Sequence, residues 1–428
     1  MNYQQALDFL FPLHRFGMKP GLERVERLLE IFQSPQKRLG TVVHIAGTNG
    51  KGTTASALAA IFQASGRKTA LYTSPHLVDF TERMRIDGVP ISPEKVAAYC
   101  SVMKDAVTSL QATFFEATTA LAFAWFADEQ AEVAVIETGM GGRLDATNTV
   151  ASDYAVITSV GSDHTAWLGT APAMIAREKA AIMNSDSMAF TAVTDSEALA
   201  EIERTAGKCG IPLFILGRDA RYLVDREEPG FLEFTLIHGS VRYSRLQAPV
   251  TGGFHASNLS LAVMVAEAAG VGEAAIRTGL ANLLQTGYRG RLEKISSRPD
   301  LFLDVSHNAD GMRQTAATLA LFRSRYRCMH ILAGLASDKD AVAVIRHLLP
   351  LNADFTVVTI PSERSIPAAE LAELLRLEGN TPAVFDTPLE GLDHILRCAD
   401  PQDMILVTGS FFLAGEILSR KAFPLSGG

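Results

Sequence analysis

Residues 42–54, VVHIAGTNGKGTT, constrain the fold more than any other stretch of this chain. An apolar strand runs straight into a glycine-rich turn, and a helical pattern follows, with Leu58, Ile61 and Phe62 on one face and Gly66 closing it. Strand, tight turn and helix in that order open an α/β unit whose turn offers backbone N–H groups, and the positive end of a helix, to a phosphate. Gly47, Thr48, Asn49, Gly50, Lys51, Gly52, Thr53 and Thr54 are therefore the candidate phosphate-binding residues, with Lys51 as the cation for the β- and γ-phosphates. The spacing is unorthodox, since Gly47 and Gly50 lie closer together than in a standard loop and Gly52 separates Lys51 from Thr53. A glycine turn that binds nothing is the alternative; ATP with Mg²⁺ is the premise carried forward.

Short apolar runs at 69–72, 133–136, 154–160 and 189–193 alternate with helical patterns, as in a parallel sheet covered on both faces. Residues 231–236 and 241–246 read as a hairpin, an antiparallel addition at the edge of that sheet. The run QTGYRGR at 285–291 is a glycine-rich link after a helix, and a second alternation follows it. Its strands lie at 301–305, 330–333, 355–360 and 404–408, with helices at 312–322 and 368–377 among them. The expected fold is α/β: a P-loop domain with a mostly parallel sheet over 1–286, a linker at 287–291, and a smaller Rossmann-like doubly wound domain over 292–428. Two such domains on a hinge predict a cleft that closes on its substrates.

Charge narrows the ligands. With 39 basic and 47 acidic residues the net charge is −8, so no excess of cations exists to displace the counterions of a nucleic acid. The four cysteines, Cys100, Cys209, Cys328 and Cys398, are far apart with no C-x-x-C and no histidine pairing, which reads as buried free thiols rather than disulfides or zinc ligands. The start MNYQQALDFL lacks a basic leader region, and the most apolar run, 117–127, is too short to span a bilayer. These features predict a cytoplasmic, monomeric protein that acts on small molecules and engages neither membrane nor nucleic acid.

In an open α/β sheet the ligand crevice lies beyond the carboxyl ends of the strands. The strand at 133–136 ends in Glu137 and GMGGRLDATN, and the strand at 154–160 ends in GSDHT, which brings Glu137 and His164 near Thr53 if both strands neighbour the phosphate loop. A carboxylate, a hydroxyl and an imidazole can together hold a divalent ion, although Mg²⁺ prefers oxygen; otherwise Glu137 caps its turn and His164 bonds within its loop. Lys179 falls on the apolar face of APAMIAREKAAIM, between Ile175 and Ile182, while Arg177 and Glu178 point elsewhere. It is either a snorkelling surface lysine or a buried one with a special partner. In the second domain Asp304 ends a strand and leads into Ser306-His307-Asn308-Ala309-Asp310-Gly311, where Asp304 and His307 can face the cleft and meet nucleotide or an incoming amine. Asn308 and Gly311 suit the turn itself.

GTNGKGTT, TSPHLVDFTERMRIDGVPIS, FFEATTALAF, GGRLDATN, REKAAI, GRLE and SHNADG occur in that order between Lys19 and Glu416. As a set they make the chain resemble the folylpolyglutamate synthase/dihydrofolate synthase family of the Mur ligase superfamily. Its members activate a carboxylate with ATP and couple it to the amine of an amino acid. The resemblance implies that Lys51 and its loop bind ATP, that Ser74, rather than Thr53, joins Glu137 and His164 as Mg²⁺ ligands, and that Lys179 occupies a carbamylated position. It places Phe115, Asp145 and Ala146 at a pterin pocket, Asn258 and Arg291 at the nucleotide, and Asp304 with His307 between ATP and glutamate. It leaves room for a monovalent cation beside Mg²⁺.

The implied substrates are dihydropteroate or reduced folates, L-glutamate and ATP, joined through an acyl phosphate. Three departures stand out: Ala256 replaces a usual glutamine, Asp304-Val305-Ser306-His307-Asn308 replaces D-G-A-H-N, and the loop reads GKGT rather than GKGS. One rival reading is a cell-wall Mur ligase, disfavoured because only 46 residues precede Gly47. Another is a nucleotide-dependent binding protein without ligase activity, against which Glu137, His164 and Lys179 stand together.

Overall fold

The computed structural model describes residues 1–16, 20–161 and 165–420, and their strands form three sheets. The largest contains β1 (Thr41–Ala46), β2 (Thr69–Tyr72), β3 (Met84–Ile86), β4 (Val89–Pro90), β5 (Val133–Glu137), β6 (Tyr154–Ile157), β7 (Met188–Thr191) and β8 (Leu213–Ile215), in the order β4-β3-β2-β5-β1-β6-β7-β8. Pairing is parallel from β2 to β8 and antiparallel only at β3 and β4. The strand that feeds the glycine turn is thus central: Ile45 pairs with Glu137 on one side and Val156 on the other.

Alternation along each strand divides the apolar residues between two cores. Val43, Ile45, Val133 and Val135 face the helix Lys51–Ala64, which lies between the sheet and the helices His255–Ala268 and Glu273–Ala281 and is buried from Thr53 to Phe62. The approach is close enough that a Cβ on Gly279 would lie 2.4 Å from the Ile61 Cα. Val42, Ala134 and Ile136 face the helices Pro93–Leu110 and Phe114–Asp128, backed by Tyr3–Leu10 and Glu23–Ile31.

The expected hairpin exists but is placed differently. With β9 (Ala220–Glu228), β10 (Phe231–His238) and β11 (Val241–Ala248) form a separate antiparallel sheet, and the antiparallel edge of the main sheet is β3–β4 instead. Leu232, Phe234 and Leu236 give β10 one apolar face, which is buried within the helical core around His255–Ala268; edge pairing with the main sheet would not by itself cover that face.

The third sheet comprises β12 (Glu293–Ser296), β13 (Asp300–Asp304), β14 (Met329–Ala333), β15 (Asp354–Val358), β16 (Ala383–Phe385) and β17 (Met404–Thr408), ordered β12-β13-β17-β14-β15-β16. All pairs are parallel except β12 with β13. Helices Ala309–Phe322, Ala341–Leu348 and Ala368–Leu377 cover one face, and Pro388–Cys398 and Phe411–Ser419 the other. The edge strands β12 and β16 were not expected, because short, half-exposed segments carry little apolar periodicity. Among the described residues no helix is long and apolar enough to cross a membrane.

Residues 287–291 connect the two larger sheets, with Gly287 and Gly290 at φ +79° and +71°. The link is tied down: Tyr288 is buried, and its hydroxyl lies 3.0 Å from the Thr53 Oγ1.

Candidate active site

The helix after the glycine turn starts at Lys51 with Gly50 as its N-cap, in the left-handed region at φ +89°. No side chain caps it, so its first N–H groups face the turn. Both turn glycines are sterically required, since a Cβ on Gly47 would lie 1.9 Å from the Thr158 Oγ1 and one on Gly50 would lie 2.2 Å from the Asn258 Oδ1. The end of β6 braces the loop: Thr48 N–H donates to the Ser159 carbonyl, Asn49 N–H to the Ser159 Oγ, and the Thr48 hydroxyl to the Gly161 carbonyl. Lys51 Nζ donates to the Gly47 carbonyl at 3.0 Å, which holds the ammonium over the loop. Thr54 Oγ1 donates to the Asn258 carbonyl, so Asn258 belongs to the same wall.

Glu137, the last residue of β5, stands beside this loop because β5 is the neighbour of β1. Its Oε2 accepts the Ser74 N–H at 3.2 Å and lies 3.7 Å from where a Gly52 Cβ would be. The carboxylate is buried, and burial pushes its pKa up, opposed by Lys51, Arg291, the Ser74 N–H and Arg83. A buried carboxylate at a phosphate loop is a hard-oxygen ligand of the kind Mg²⁺ takes, and the bond to the Ser74 N–H brings that residue beside it. The Thr53 hydroxyl is engaged by Tyr288. His164 lies outside the described residues.

Lys179 is buried, 3% exposed, near the end of the helix Pro172–Ala180, while Arg177 and Glu178 reach outward to Glu201 and Arg143. The snorkelling alternative is thereby excluded. The same helix end packs on the loop that follows Glu137: Arg143 N–H donates to the Glu178 carbonyl, and a Gly142 Cβ would meet the Glu178 and Lys179 carbonyls at 2.5 and 3.0 Å.

That loop also carries Asp145 and Ala146, both buried. Asp145 accepts the Met140 and Thr147 N–H groups and the Thr147 hydroxyl, and burial pushes its carboxyl pKa up. Because Thr147 donates to Asp145, its 2.8 Å bond with His44 is donated by the His44 Nε2–H; burial holds His44 neutral, with a pKa of about 3. Phe115 lies against the same loop, its ring 2.6 Å from where a Gly139 Cβ would be. Phe115, Asp145 and Ala146 are thus brought to one wall.

Across the cleft, Asp304 ends β13 with its carboxylate committed to the turn, accepting the Ser306 N–H and, at 3.0 Å, the Thr315 hydroxyl. It shapes the loop that carries His307, whose Nδ1 donates to the Val305 carbonyl at 2.9 Å. Asn308 caps the helix Ala309–Phe322 and exchanges amide hydrogen bonds with Asn49 at 3.2 and 3.4 Å, so it makes the turn and also joins the two units. The Arg291 guanidinium packs over Phe411, 5.1 Å from the ring centroid.

Several residues here escaped sequence reasoning. Tyr288 and the buried His255 connect the linker to Thr53; the available signal was an aromatic residue in a link otherwise made of glycine, arginine and small polar residues. Arg83 is a buried cation whose pKa burial lowers to about 10; it donates to the His76 Nδ1 and packs over Phe114. Burial first, and then Arg83, hold His76 neutral with a pKa of about 3.

Known proteins resemble this chain in sequence and fold. Residues 45–266 match the Mur ligase middle domain, and residues 290–411 match the Mur ligase glutamate ligase domain. The Escherichia coli K12 protein named dihydrofolate synthase/folylpolyglutamate synthase is 32% identical over 99% of this chain and 96% of its own length. A Haloferax volcanii protein named probable bifunctional folylpolyglutamate synthase/dihydropteroate synthase is 33% identical over 97% of this chain, which spans 50% of that longer protein. The structure of E. coli FolC in complex with DHPP and ADP superposes with a TM-score of 0.89 at 31% identity, covering 98% of this chain and 97% of that one. A Yersinia pestis bifunctional folylpolyglutamate synthase/dihydrofolate synthase complexed with AMPPNP and Mn ion gives 0.86 at 30% identity, covering 98% of each.

Proposed function

We infer the reaction from one premise: the chain belongs to the dihydrofolate synthase/folylpolyglutamate synthase family, whose Mur ligase domains it carries. It is an ATP-dependent, ADP-forming ligase that joins L-glutamate to a pteroate or folate carboxylate. The observation that carries the mechanism is the Asn49–Asn308 pair, which seats the phosphate loop of one sheet against the strand-end turn of the other. We propose that one cleft serves both dihydropteroate and reduced folates, in a monomeric cytoplasmic enzyme with domains 1–286 and 292–428 on a 287–291 hinge.

In the proposed reaction a carboxylate oxygen attacks the γ-phosphorus, the bond to the β–γ bridging oxygen breaks, and ADP leaves an acyl phosphate behind. Lys51 and the N–H groups from Gly50 to Thr53, at the uncapped start of the helix, offset the charge on the transferring group. Asn258 and Arg291 hold the nucleotide, and Phe115, Asp145 and Ala146 line the pterin side. Ser74 and Glu137, with His164, are the proposed ligands of Mg²⁺, which when bound polarises the phosphoryl oxygens; a monovalent cation fits the same anionic region. The glutamate amine then attacks the acyl carbon, phosphate departs with the C–O bond, and the amine loses a proton. Asp304 holds the turn for this step. His307, held by its Nδ1 bond to the Val305 carbonyl, is the proposed acceptor of that proton. Closure of the two domains excludes water that would hydrolyse the acyl phosphate. Lys179 is proposed to carry a carbamate near the metal and phosphate region.

Purified enzyme assayed separately on dihydropteroate and tetrahydrofolate, with ATP and glutamate, tests the assignment. The expected result is one amide formed per ADP on both substrates. ADP release that ignores glutamate would overturn the ligase reading, and amide formation on only one substrate would overturn dual use. Glu137→Gln, which keeps shape and removes charge, is expected to raise the Mg²⁺ concentration needed for half-maximal rate by about tenfold or more while pterin binding changes little. Titrating Mg²⁺ at saturating substrates measures it; an unchanged requirement would leave Glu137 as a turn residue.

A further inference from the structure

The amino-terminal edge of the third sheet, opposite the cleft end, holds a cluster that the ligase reaction does not use. Its distance from the cleft end is roughly the 16 Å length of a five-residue strand. Cys328 and His330 are two residues apart at the start of β14, a spacing that turns both side chains to one side of an extended chain. The parallel register sets His330 beside Asp354, the first residue of β15. The Cys328 Sγ, a ring nitrogen of His330 and an Asp354 carboxylate oxygen lie within 4.8 Å of one another. Asp354 Oδ2 is 3.3 Å from the sulfur and 3.6 Å from Nδ1. Bond lengths of about 2.3 Å to sulfur and 2.0–2.2 Å to nitrogen and oxygen place the ligand atoms of a tetrahedral zinc ion roughly 3.3–3.7 Å apart, so these groups need little movement to close on one.

The second nitrogen of His330 supplies an independent observation. Nε2 lies 3.3 Å from the Oδ2 of Asp403, which is fully buried just before β17. The Asp403 Oδ2 also accepts the Asp400 N–H, Arg327 pairs with the carboxylate, and Cys328 N–H donates to its other oxygen. The Asp403 contact to Nε2 orients the ring so that Nδ1 is turned toward Asp354. A buried carboxylate that orients a histidine in this way is the usual support behind a metal-binding imidazole. The Cys328 S–H donates to Asp354 Oδ2, and a cation would take that proton's place.

We propose that Cys328, His330 and Asp354 form a zinc site oriented by Asp403, with water at the remaining position on the side of the exposed Asp354. Thiolate, imidazole and carboxylate together favour a borderline-soft ion over Mg²⁺. On binding, the Cys328 thiol proton passes to solvent as the Zn–S bond forms. The ion ties β14 to β15, remote from catalysis. The expectation from cysteine spacing alone overlooked the Cys328-Met329-His330 pairing, and the thiols are not uniformly buried: Cys100 is buried and Cys398 exposed.

Cobalt added to the full-length, chelator-stripped enzyme tests the site. One equivalent is expected to produce a thiolate-to-cobalt charge-transfer band, which zinc abolishes while raising the melting temperature. Cys328→Ser should lose the band and keep its ligation rate, which also shows that it folds. His330→Gln should weaken cobalt binding at least tenfold. No band at one equivalent in the unaltered enzyme would overturn the proposal, as would a band that persists in Cys328→Ser.

Discussion

Lys51→Ala is expected to lower the ligation rate by about a thousandfold while leaving the protein folded. The ammonium is held over the phosphate loop by the Gly47 carbonyl, at the uncapped start of the helix that follows. A cation placed where charge moves during phosphoryl transfer contributes in the transition state, and a thousandfold corresponds to about 4 kcal/mol. The side chain is only partly buried and lies outside the hydrophobic cores, so circular dichroism and thermal unfolding should match the unaltered protein. Lys51→Arg should recover only part of the rate, because a planar fork does not fit a loop shaped around a compact ammonium. A folded Lys51→Ala enzyme with unaltered turnover would remove the loop from the mechanism.

The residues legible in the sequence were those at strand ends. β1, β5 and β6 are short, apolar and fully buried in their interiors, so their presence and parallel arrangement followed from composition, although β6 ends at Ile157 rather than 160, and strand adjacency then carried Glu137 to the loop. Helical periodicity put Lys179 on the apolar face but could not tell a snorkelling lysine from a buried one; its 3% exposure decides for the second.

What stayed hidden depends on pairing between distant segments. The β9–β11 sheet has the same hairpin pattern whether it extends a larger sheet or packs on a helix, and only the partner for its apolar face decides. Tyr288 reaches Thr53 across 235 positions, and Asn308 reaches Asn49 across 259; neither leaves a local periodic trace. The clustering of Cys328 and His330 with Asp354 and Asp403 arises from strand order in the third sheet, which follows neither from hydrophobic periodicity nor from cysteine spacing.

Lys179→Ala is expected to cost about 10–100-fold in turnover, with partial rescue by small carboxylates. The lysine is 3% exposed among Ile175, Ala176 and Ala180, against the loop that leaves Glu137. Carbamate formation uses the amine in its neutral form, whose nitrogen attacks CO₂; an N–C bond forms, a proton is lost, and the side chain becomes an anion. An anionic oxygen pair at this place would help to fix the cations that serve the transferring phosphate, so its loss should appear in kcat more than in pterin affinity. Removal of a group that supports a bound metal typically costs about 10–100-fold. Acetate or formate supplied to Lys179→Ala would restore oxygen ligands without the tether, which predicts a concentration-dependent partial recovery. Enzyme equilibrated with ¹³C-labelled CO₂ should show a carbamate resonance that Lys179→Ala lacks. Full activity in CO₂-free buffer, with an unmodified Lys179 in electron density, would sink the carbamate and leave the buried lysine as a packing residue.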